Sequence, residues 1–128
     1  MRRIPEEVIE AWQGKTMPAT LATVSEDGEP NVIYTSFVQY HGDDRFIFTD
    51  HYFNKTRDNI LNGSRAALLF ISPDGRSSYQ LKGKLTLQED GELYQQMKRG
   101  MPPTLPGRAI VILDVDSVYR GGDRLDSE

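Results

Sequence analysis

The segment FIFTDHYFNKTRDNI, residues 46–60, gathers more groups capable of chemistry than any other stretch of the chain. A strand-like pattern ends at Thr49-Asp50, a short loop follows, and a helix begins around Asn54. The first turn of a helix leaves backbone N–H groups without intrahelical partners and carries partial positive charge, so it favours an anion. Lys55 adds a full positive charge at that end and Thr56 a hydroxyl. A cation there is locally unfavourable unless an anion or a carboxylate offsets it, and a bound phosphate would account for the placement. The competing reading makes Lys55 and Thr56 ordinary solvated first-turn residues. The residues alone leave both readings open.

Little else in the chain offers reactive chemistry. There is no cysteine, so there is no disulfide framework, no thiolate nucleophile and no thiolate metal site. His41 and His51 are the two histidines, which makes a histidine-rich metal centre a poor expectation. His51 lies in the loop before the Asn54 helix and reads as a solvated residue with no catalytic role. No catalytic residue and no metal ligand are assigned. Trp12 falls at helical spacing from Val8 and Ile9, which favours packing over stacking on a ligand. Asp114 and Asp116 alternate on an apolar strand and read as its exposed face. Lys82, Lys84, Lys98 and Arg99 read as soluble surface rather than a second phosphate site, and Tyr79 and Tyr94 as packing or a subunit surface.

The 128 residues suit one domain with one sizeable core. A net charge of −4 argues against general nucleic-acid binding, which needs a clustered basic surface. No apolar run approaches the roughly 20 residues that span a bilayer. The start MRRIPEEVIEAW has no continuous apolar stretch, so neither a signal peptide nor a membrane association is expected, and the expected location is cytoplasmic.

The elements that must position the 46–60 segment follow from periodicity. Residues 5–14 read as a helix, with Pro5 at its start, Glu6 and Glu7 at its positive end and Gly14 at its stop. Strands are expected at 19–24, 31–40 and 45–50, with turns at SEDGEP and HGDD. A short helix runs from Asn54 to Gly63, followed by a buried strand at 65–72 and the turn PDGR. SSYQLKGKLTLQ alternates cleanly, placing Tyr79, Leu81, Gly83, Leu85 and Leu87 on one face. A helix over 90–100, an irregular MPPTLPG and a last strand over 108–119 complete the domain, 1–119. Residues 120–128 are polar and glycine-rich and are expected to form a flexible tail. The sum is a mainly β protein with three short helices, a six-stranded antiparallel sheet closed into a barrel.

From ATLATVSEDGEPNVIYTSFVQY through DDRFIFTDHYFNKTRDNILNGSRAALLFI to QLKGKLTL, the chain resembles the pyridoxamine 5′-phosphate oxidase-like FMN-binding split-barrel family, especially its small single-domain members. The resemblance covers roughly residues 17–88, and the last strand AIVILDVDSVY fits as well. It implies FMN bound non-covalently at the interface of a homodimer. Lys55 would hold the phosphate, with Asn54 and Thr56 as neighbouring polar contacts. Thr49 and Asp50 would approach the flavin or its ribityl chain, Tyr34, Thr35 and Ser36 would run beside the ring, and Gln80 would come from the second subunit.

Two departures shape what the resemblance can carry. Where many relatives have paired basic residues this chain has Asn54-Lys55, and residues 31–40 contain no basic residue, so phosphate would be held by fewer charge-assisted bonds. The C-terminal half has no tryptophan and no histidine, unlike the substrate-gripping end of the true oxidases. The expectation is a flavoprotein that exchanges electrons with a small-molecule or protein donor and acceptor. The alternatives are a non-catalytic flavin carrier, or the same barrel holding haem or a deazaflavin.

Overall fold

Alternation of inward apolar and outward polar side chains makes strands the main regular structure of this chain. The computed structural model describes residues 3–126. Along them run α1 (Glu6–Gly14), β1 (Ala19–Val24), β2 (Pro30–Thr35), β3 (Val38–Gly42), β4 (Arg45–Asp50) and α2 (Lys55–Leu61). There follow β5 (Arg65–Ile71), β6 (Ser78–Gln88), α3 (Glu92–Arg99), β7 (Ala109–Arg120) and β8 (Asp123–Arg124).

All the pairings are antiparallel, in the order β2-β1-β5-β6-β7-β4-β3, with β8 added to β7. The ends of that path, β2 and β3, are consecutive in the chain and joined at Ser36-Phe37, yet they are not neighbours in the sheet. The sheet curls around one core and its edges meet without pairing, which is a split barrel. The long pair β6 and β7 forms its spine, in register from Tyr79↔Arg120 to Gln88↔Ile110, with a bulge between Lys82 and Gly83. A side chain at position 83 has no room, because a Cβ there would lie 1.9 Å from the Asp114 carbonyl oxygen. Gly83 lets the two backbones close at the bulge.

Inside lie Leu21, Phe46, Phe48, Leu68, Phe70, Leu81, Val111, Leu113 and Val118, all buried. Helix α1 adds Val8, Ile9 and Trp12 to the same cluster. The Trp12 ring meets Phe46 and Phe70 edge-on, with centroids 4.9 and 5.1 Å apart, so its role is packing. Burying each such side chain stabilises the fold by about 1.5–3 kcal/mol before the ordering entropy is counted.

Two details differ from the sequence expectation. The stretch 31–40, expected as one strand, breaks at Ser36-Phe37 into β2 and β3, so the strand count rises above six. The tail expected from residue 120 instead turns back as a hairpin through Asp126. Leu125 donates its N–H to the Val118 carbonyl at 2.8 Å, and the buried Asp126 carboxylate accepts the Val118 N–H at 2.8 Å. The rest of that expected tail, residues 127 and 128, lies outside the described residues. No helix among the described residues is long and apolar enough to cross a membrane.

Candidate functional site

The split positions the site. Because β2 and β3 part at Ser36-Phe37, the face of β2 looks across open space at the β4–α2 connection. The result is a cleft of about 490 Å³, within the range usual for small-ligand sites. One wall is the run 31–37 along β2, and the other is Thr49 with the run 51–56. Of the residues singled out in the sequence, Tyr34, Thr35, Ser36, Thr49, Asn54, Lys55 and Thr56 all line this one cleft.

At its far end α2 begins. Thr56 is buried, and its hydroxyl oxygen accepts a hydrogen bond from the Asn31 amide at 3.0 Å. That leaves the hydroxyl proton free to turn to a neighbour. Asn31 and Asn59 both donate toward Thr23, at 3.5 and 3.0 Å, so a polar web beneath the helix start fixes Thr56. Lys55 is exposed, and among the described residues its ammonium forms no ion pair. It stands between the cleft and an acidic depression lined by Glu26, Asp27, Glu29 and Asp58. A free cation beside first-turn N–H groups and a hydroxyl is a donor set for one anion.

Asp50 lies behind the cleft wall rather than on it. Its carboxylate is fully buried and accepts hydrogen bonds from Phe53 N–H at 2.9 Å, Arg57 at 2.7 Å and Arg108 at 2.9 Å. The Asp50 and Glu89 carboxylates hold the Arg57 guanidinium above its already high ordinary pKa. Arg57 and Arg108 are thus committed to carboxylates, and among the described residues that line the cleft Lys55 is the cation. Through Phe53 and Arg57, Asp50 sets the path of the 51–57 segment that carries Lys55.

Gln80 lies elsewhere. Register pairs Tyr34 with Thr20, Thr20 with Leu69, Leu69 with Gln80 and Gln80 with Tyr119, which puts Gln80 on the outer face of the sheet, three strands from the cleft wall. Three of the four basic residues read as surface have separate partners. Lys82 sits over the Tyr119 ring, Lys98 bonds the Pro106 carbonyl at 3.1 Å and Arg99 pairs with Glu92. Asp114 and Asp116 pair with Arg45 and Arg65, as an exposed strand face would.

His51 departs furthest from its sequence reading. It is 4% exposed rather than solvated, its ring stacks edge-on with Phe37 at 4.5 Å, and it lines the cleft. Its Nδ1 accepts the Gly107 N–H at 3.0 Å. The contact that buries it comes from 56 residues away, which no local pattern announces.

A curled antiparallel sheet whose split forms a polar-ended cleft defines the class: a split-barrel protein with a ligand-sized groove at the barrel seam. Residues 4–120 match the family model described as pyridoxamine 5′-phosphate oxidase, and the chain belongs to that family. Solved structures agree on the fold. HupZ from Group A Streptococcus is 22% identical, aligned over 98% of this chain and 99% of its own, with a TM-score of 0.82. A protein named F420 reductase is 22% identical over 91% of this chain and 98% of its own, with a TM-score of 0.69. An FMN-binding protein from Syntrophomonas wolfei subsp. wolfei is 18% identical over 89% and 86%, with a TM-score of 0.65. At these identities the likeness carries the fold. No protein of curated function matches the chain significantly.

Proposed function

We propose that the chain is a flavoprotein that holds FMN in the cleft at the split, with the phosphate at Lys55, and exchanges electrons with a soluble donor and acceptor. The observation that carries this reading is the pairing of an uncommitted lysine with a buried, pre-oriented threonine at the polar end of a ligand-sized cleft. The FMN-binding protein among the fold neighbours supports the choice of ligand. Fit is reasonable on the residues present. Lys55, Thr56 and Asn54 supply a charge and polar contacts for a phosphate, Thr49 supplies a hydroxyl midway, and Tyr34, Thr35 and Ser36 supply a strand edge for a planar ring.

The flavin supplies the redox chemistry when bound. The chain's own part is binding and orientation. Lys55 neutralises phosphate charge, the web of Asn31, Asn59 and Thr23 keeps Thr56 in place, and the Phe37 and His51 rings exclude water from one side. The reading assigns no side chain as nucleophile.

The same reading includes a second copy of the chain. Val32, Tyr34, Leu69 and Ile71 are 64, 77, 41 and 49% exposed, and the register Ala22↔Val32, Thr20↔Tyr34 and Thr20↔Leu69 aligns them across β2, β1 and β5. An apolar sheet face of this kind marks an association surface. In a two-fold dimer built on it, Gln80, in the same row, is carried toward the cleft of the other copy.

The test is a visible spectrum of the purified protein and a fluorescence titration with FMN. Saturable quenching at one FMN per chain is expected. An absence of flavin binding would overturn the assignment.

A further inference from the structure

His51 is left with one function undetermined by the fold: what its second nitrogen does. Gly107 N–H donates to Nδ1, and a nitrogen that accepts a hydrogen bond carries no proton. The neutral imidazole is therefore the Nε2–H tautomer, set by the backbone rather than by any ligand. The plane of the ring is set too, because Phe37 packs against it at an interplanar angle of 83°.

The acceptor bond is itself well anchored. Gly107 sits at φ +49°, a region glycine enters easily, and a Cβ there would meet the Met101 sulfur at 2.4 Å. On one side of it Lys98 Nζ bonds the Pro106 carbonyl at 3.1 Å. On the other, Arg108 N–H donates to the Asp50 carbonyl at 2.9 Å and the Arg108 guanidinium to the Asp50 carboxylate at 2.9 Å. The segment between α3 and β7 is thus a strap fastened across the end of β4, and His51 is the side chain it grips.

Nε2 has no hydrogen-bond partner among the described residues, and none of their buried side-chain polar atoms is sealed off without one. Nε2 therefore keeps an open side, and the cavity His51 lines is the cleft between β2 and the β4–α2 connection. Phe37, packed against its ring, carries no charge, and neither do Ser36 and Thr49, which line the same cleft.

We infer that His51 is a ligand-contact residue: a neutral imidazole, locked by the strap, that offers Nε2–H to an uncharged acceptor atom of the ligand, a ring carbonyl or ring nitrogen. The identity of that ligand as a flavin rests on the proposed function; the tautomer and the open donor do not. The donor would set how deep and in which orientation a planar heterocycle enters, while Lys55 holds the anionic end.

Two substitutions separate the two nitrogens. His51→Asn keeps an acceptor near Nδ1 for Gly107 but has nothing at the reach of Nε2. His51→Gln places an amide N–H near Nε2 and gives up the acceptor. Titrated with FMN, His51→Asn is expected to bind about tenfold more weakly with a shifted visible spectrum, and His51→Gln to recover most of both. A merely structural role predicts the reverse order, since only the Asn variant preserves the strap. Before any ligand is added, nitrogen NMR of histidine-labelled protein should show His51 protonated at Nε2 and bare at Nδ1. The opposite tautomer, or an Asn variant equal to wild type in affinity and spectrum, overturns the inference. Wild-type protein that takes up no flavin overturns the cofactor assignment instead, and the tautomer spectrum then still decides the donor.

Discussion

The Asp50 carboxylate is sealed from solvent and shared between Arg57 and Arg108, which are themselves 20 and 42% exposed at their side chains. Removing one partner of a buried pair leaves uncompensated charge, a change that typically destabilises by about 3 kcal/mol. Partial exposure of the arginines moderates this, so Asp50→Asn is expected to lower the urea midpoint by the equivalent of about 2–3 kcal/mol. Flavin binding should weaken only through the displaced 51–57 segment. An unchanged midpoint would mean that the carboxylate holds neither arginine. At this scale the sequence was legible where chemistry is local. Lys55 and Thr56 could be read from a helix start, because the helix end itself is what makes a cation there notable. His51 could not, since its environment is made by Gly107 and Phe37, and Asp50 reads as a ligand neighbour until Arg108 is seen beside it.

Turns declared themselves at the level of elements. Gly28 and Gly42 take φ of 89° and 94°, and Asp43 and Asp44 follow at 54° and 59°, residue types suited to those positions. The break at Ser36-Phe37 had no such marker. It arises because Phe37 turns to pack on His51 while its carbonyl accepts the Thr49 N–H at 2.9 Å, a requirement of the curled sheet rather than of the local residues. The C-terminal hairpin was hidden for a similar reason: a polar, glycine-rich stretch is anchored by one buried carboxylate. Burial pushes the Asp126 pKa up, but hydrogen bonds from Arg124 and the Val118 N–H outweigh it and hold the group below its ordinary value. A depressed native pKa means that the unfolded chain binds the proton more readily, so stability rises with pH across the titration. The contribution of Asp126 is fully present above about pH 4, the ordinary carboxyl value, and is lost as pH falls through the lower native one. Asp126→Asn should therefore be less stable than wild type at pH 7, with the gap narrowing below about pH 4 in denaturation series run at each pH. A gap that stays constant or widens on acidification would contradict the assignment.

The molecule as a whole is a barrel left open along one seam, with its cleft at that seam and an apolar face running back from it across β1 and β5. Composition and alternation were enough to foresee the antiparallel barrel, since inward and outward residues separate cleanly along β4, β5 and β6. Which edges fail to pair was not foreseeable, because that depends on how far the whole sheet curls. If the exposed face is where two copies meet, wild-type protein sediments as a dimer and Leu69→Asp as a folded monomer, with the cleft wall itself untouched. A wild-type monomer at tens of micromolar would contradict that. The central contact of the proposed complex is that between the phosphate of FMN and Lys55. The direct measurement is a four-way titration of wild type and Lys55→Ala with FMN and with riboflavin, which lacks the phosphate. The expected result is a coupling of about 1.5–3 kcal/mol between the ammonium and the phosphate, with FMN binding tenfold or more weaker in the variant and riboflavin binding unchanged. Equal losses for both ligands, or no loss for either, would contradict the placement of the phosphate at Lys55.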